Sequence, residues 1–133
     1  MKHEHLCKVR DGDFRRITGV RRETFQKMVE ILSTAQSEKL RKGGAKPKLC
    51  IEDQLLATLE YLREYRTLIH ISANYGISES QLSRIIRWVE DVLVKDGAFS
   101  LPGKKALVKS EMTYEVIMVD CTETPIERPK KTT

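Results

Sequence analysis

Apolar residues along the first two thirds of the chain recur at intervals of three and four, the spacing of one helix face, in successive blocks separated by polar or glycine-containing breaks. In FQKMVEILSTA, Phe25, Met28, Val29 and Leu32 keep that spacing and predict a helix from about residue 20 to about residue 40, opened by Thr18 and Gly19. The stretch RKGGAKPKL, residues 41–49, ends it, because two glycines release the backbone and Pro47 disfavours helix just before itself. It reads as a basic, solvated hinge. IEDQLLATLEYLREY follows, with Leu55, Leu56, Leu59 and Leu62 as the buried stripe and Glu52 and Asp53 in the first turn, where negative charge suits the helix dipole. TLIHISANYG predicts a short helix capped by Thr67 and stopped by Gly76. SESQLSRIIRWVEDVLVKDG predicts a longer one, opened by a capping box of Ser78 and Gln81 and closed by Gly97.

Beyond Gly97 the helical period disappears. Residues 98–113 contain Pro102 and Gly103 and read as a linker, whereas YEVIMVD, residues 114–120, is the β-branched run of a strand buried on both faces. A strand without partners is unstable alone, so residues 114–133 read as the truncated start of a second domain. The fold class expected is therefore mainly α: a four-helix domain over residues 1–97, followed by an incomplete first strand.

Within this pattern the last two helices meet the demands of a helix-turn-helix. Ile71 and Tyr75 face inward from the first, Ser72 is small where the helices cross, Gly76 supplies a turn with positive φ, Ile77 fills the corner, and Leu82 and Ile85 face inward from the second. Ser78, Glu79, Ser80, Ser83, Arg84 and Arg87 then point outward. Arginine reads guanine through two hydrogen bonds, serine can serve bases or phosphates, and glutamate can accept from cytosine. A tight helical hairpin with a solvated face would look similar.

Charge shifts the balance. The whole chain is at +5, but residues 1–50 hold 13 basic and 6 acidic side chains against 5 and 8 in residues 51–97, so the positive excess lies ahead of the motif. An anionic partner, double-stranded DNA, fits this better than a small-molecule substrate. Lys46 and Lys48 in the linker are candidates for phosphate contact. Cys7, Cys50 and Cys121 are odd in number and far apart, which suits a reducing cytoplasm, and no apolar run approaches a membrane span. His3, His5 and Cys7 alternate in HEHLC but sit at a chain end, so a frayed terminus is expected rather than a metal site. His70 reads as solvated, and Tyr61 and Trp88 as core.

The segments from Ile51 to Leu93 and VIMVDCTETPIERPKK, residues 116–131, resemble the N-terminal portion of insertion-sequence transposases of the DDE superfamily, in which a helix-turn-helix precedes an RNase H-like catalytic domain. The resemblance begins at about Phe14 and is most specific over residues 120–129. It implies recognition of transposon terminal repeats, and it implies that Asp120 is the first carboxylate of a triad that holds Mg²⁺ for phosphoryl transfer in a complete enzyme. The other carboxylates would lie beyond Thr133, so no cofactor and no nuclease activity are expected of this chain. The alternative is a helical module that dimerises the transposase, as a homodimer, or docks a partner with little DNA affinity of its own.

Overall fold

The computed structural model describes residues 2–99, which form six helices and no strand. These are α1 (His3–Leu6), α2 (Asp11–Thr18), α3 (Arg22–Arg41), α4 (Ile51–Glu64), α5 (Leu68–Tyr75) and α6 (Glu79–Asp96). The four helices expected from periodicity correspond to α3 to α6. The expected strand over residues 114–120 lies outside the described residues.

α4 is the centre. Leu55, Leu56 and Ala57 are buried on it, and α3, α5 and α6 close around it through Phe25, Val29, Leu32, Ile71, Leu82 and Val89. Two polar groups buried with them are satisfied locally: Gln54 Nε2 donates to the Leu49 carbonyl at 2.9 Å, and Thr58 Oγ1 donates to the Gln54 carbonyl at 2.9 Å. Tyr61 and Trp88 pack against the same core, as expected.

The N-terminus differs from its expected frayed state. α1 docks on α4: Leu6 is 1% exposed, and the backbone N–H of His3 donates to Asp53 Oδ1 at 2.7 Å. α2 brings Phe14 edge-on to Phe25, with ring centroids 5.4 Å apart, and Arg22 lies 4.4 Å over the Phe14 ring while bonding Asp11 and the Val9 carbonyl. Thr18 and Gly19, expected to open α3, instead close α2: Gly19 adopts φ 84° as its C-cap, and Thr18 is buried with its hydroxyl donating to the Phe14 carbonyl. A helix as short as α2 offers too little period to read and depends on tertiary packing for its stability.

Two further expectations are corrected. Leu62 is 49% exposed rather than buried, on the last turn of α4, which ends two residues later. Residues 41–48 are exposed, as a solvated segment would be, but the ends of the segment are tied down rather than free. Gly43 and Gly44 donate back to the carbonyls of Leu40 and Lys39, Leu49 is buried, and Ala45 and Pro47 share a small cavity with Gln36, Gln54 and Trp88. The hydrogen bonds at its start and the buried Leu49 at its end fix what composition alone leaves loose.

Candidate nucleic-acid interface

α5 and α6 meet through the turn that the sequence specifies. Gly76 is left-handed at φ 68°, ψ 34°, its N–H donates to the Ala73 carbonyl, and the N–H of Ile77 donates to the Ser72 carbonyl at 3.1 Å. Ser72 is 4% exposed and satisfies its hydroxyl on the Ile69 carbonyl, so a small residue occupies the crossing without an orphaned polar group. Tyr75 is buried beside Glu60; burial foremost, then the Glu60 carboxylate, pushes its phenol above the ordinary tyrosine range. His70 is exposed and hydrogen-bonds Thr67 Oγ1 at 2.7 Å, so Thr67 stands at the N-cap with its hydroxyl on the imidazole instead of on the helix.

The start of α6 is a complete capping box. The N–H of Gln81 donates to Ser78 Oγ, and the N–H of Ser78 donates to Gln81 Oε1, both at 3.3 Å. Ser78 also lies 3.2 Å from the Ser80 hydroxyl, so its oxygen is already in use. Leu82, Ile86 and Val89 form the buried stripe. Ile85, expected inward, is only partly buried, and the neighbouring Ile86, also one turn after Leu82, takes the deeper place in the core.

On the opposite side Glu79, Ser80, Arg84 and Arg87 are exposed, with Ser83 half-buried. Neither Arg84 nor Arg87 has an ion-pair partner among the described residues. Ser80 to Arg87 spans about 10 Å of helix axis, comparable to the roughly 12 Å width of a major groove. The sign then reverses at Glu90 and the exposed Asp91, so the half of α6 suited to a polyanion is the N-terminal half.

Lys46 and Lys48 are exposed on the docked linker, and Lys39 Nζ sits 5.6 Å from the centre of the Trp88 ring on α6. Arg41 and Lys42, exposed in the same segment, join this basic surface. Composition marks them only as part of a charged break; the folded chain sets them at the end of α3, beside Glu38. Among the described residues no three His, Cys, Asp or Glu side chains could hold a metal, and no helix is long and apolar enough to cross a membrane. Cys7 Sγ lies 3.3 Å from His3 Nε2 without a third ligand. Asp120 lies outside the described residues.

Residues 47–99, the span holding α4 to α6, match the family described as the helix-turn-helix of DDE superfamily endonuclease. Over 131 residues it is 44% identical to the probable transposase for insertion sequence element IS702 from Microchaete diplosiphon. That likeness takes in 98% of this chain and 47% of the relative, so the chain spans about half the length of the curated transposase it matches. No solved structure matches it.

Proposed function

We propose that α6 enters the major groove of double-stranded DNA and that this chain recognises the terminal sequences of an insertion element during transposition. The observation that carries the reading is the exposed face of Ser80, Arg84 and Arg87, uncommitted to ion pairs among the described residues, on the second helix of a helix-turn-helix. Arg84 and Arg87 would read guanines, Ser80 and Ser83 would reach bases or phosphates, and Glu79 would accept from cytosine or exclude other sequences. Ser78 serves mainly as the cap that holds them in place. Lys46 and Lys48 would contact phosphates without sequence preference.

Gel shifts on a duplex carrying the element's terminal repeat, against a scrambled duplex, test this. Arg84→Ala and Arg87→Ala should each weaken specific binding by about 1 to 3 kcal/mol. Wild-type affinity in both variants would defeat the role of α6.

A second reading, a helical module that dimerises or docks a partner, is favoured by Leu62, Tyr65 and Ile69, which are 49%, 89% and 59% exposed at the α4–α5 corner. Sedimentation of the wild-type chain against Leu62→Glu separates the two, since only self-association through that corner would be lost.

A further inference from the structure

The basic segment between α3 and α4 is held at both ends, and its middle faces a small cavity beside α6. Hydrogen bonds from Gly43 and Gly44 tie its start to the last turn of α3, and buried Leu49, with its carbonyl held by Gln54, anchors its end. Between them the exposed Ala45 and Pro47 line a small cavity whose other walls include Trp88, over whose ring Lys39 lies. Trp88 stands one turn after Arg84 and next to Arg87 on α6, so the segment is seated alongside the face proposed to read bases.

Its charge is one-sided. Residues 41–48 contain Arg41, Lys42, Lys46 and Lys48, all exposed, and no acidic residue; Glu38, on the preceding turn of α3, is the carboxylate that shares a shallow hollow with Arg41 and Lys42. None of the four cations has an ion-pair partner among the described residues. Holding four like charges on a fixed backbone is repulsive, and a polyanion laid along them relieves the repulsion.

We propose that residues 41–48 are a docked basic strap that follows the phosphate backbone of the duplex beside the groove occupied by α6, with Arg41 and Lys42 as contacts in addition to Lys46 and Lys48 and with Trp88 as the positioning residue. This rests on the DNA reading and adds that the strap's place is set by packing, so that the strap protects one flank of the site.

The test uses the full chain and a duplex that the wild-type chain selects from a randomised pool. Removing one cation from a phosphate should reduce the slope of log affinity against log salt by about 0.9, so Arg41→Ala/Lys42→Ala/Lys46→Ala/Lys48→Ala should flatten it by about 3 to 4 while still preferring the selected duplex. Hydroxyl-radical footprints should lose protection on one flank only. Trp88→Leu should remove that flanking protection with all four cations present, and Ala45→Gly/Pro47→Gly, which loosens the strap without altering the core or the charge, should do the same. An unchanged salt slope in the quadruple variant, or full flanking protection in Ala45→Gly/Pro47→Gly, would overturn the strap. Failure of the wild-type chain to select any sequence would instead overturn the reading of α6.

Discussion

Gly76 joins the two helices of the motif at φ 68°, and a Cβ built there would meet nothing within 4 Å. Any cost of substitution is therefore backbone strain and not a clash. Gly76→Val should destabilise the chain by about 1 to 2 kcal/mol, the penalty of a left-handed conformation for a branched residue. Urea unfolding measures it, and an unchanged midpoint would show that the turn can be made another way. Tyr65 shows that the penalty is tolerated elsewhere: it is the one non-glycine residue with positive φ among those described, at 53°, and it ends α4 with its ring in solvent. Nothing in the apolar pattern marks Tyr65, because a left-handed residue is a property of the path between helices. Gly76, by contrast, was legible as a turn, since glycine after an apolar-spaced helix has few other uses.

Among the elements, the long apolar-spaced ones were the readable ones, and α6 carried a cap signal as well. Ser78 and Gln81 form both hydrogen bonds of their box, and Gly97 ends the same helix in the left-handed conformation, as their local chemistry requires. α1 and α2 are short and carry few apolar groups, so no helical period marks them, although Gly19 ends α2 in the same left-handed conformation as Gly97 ends α6. Their place is set by what they cover. Leu6, at 1% exposure, makes the distinction measurable: Leu6→Ala should cost about 2 to 5 kcal/mol if α1 belongs to the core. A frayed terminus would make the substitution silent in a thermal or urea melt.

For the described molecule as a whole, the family match and the core have different boundaries. The matched span is residues 47–99, but Phe25, Val29 and Leu32 on α3 and Phe14 on α2 are buried in the cluster that contains Leu55, Leu82 and Val89. A fragment limited to residues 47–99 would expose the faces of α4 and α6 that α3 covers, and a chain of that size has little core to spare. It should melt broadly and well below residues 1–99, as followed by circular dichroism. A sharp transition at the same temperature would mean that α3 contributes nothing to the motif's stability.

The outward residues of α6 were legible because a helix with one apolar stripe has a defined opposite face, and Arg84 and Arg87 fall on it whatever the neighbours do. Periodicity likewise determined the span of α3 to α6, the turn at Gly76 and the cap at Ser78, all of which depend on residues within a few positions of one another. Tertiary structure alone decided that Ile86 goes deeper than Ile85, that Leu62 is left in solvent, that α1 and α2 dock, and that Leu49 is buried at the end of an otherwise exposed segment. Each of those outcomes depends on which surface arrives from a distant part of the chain, and burial is a property of both surfaces together.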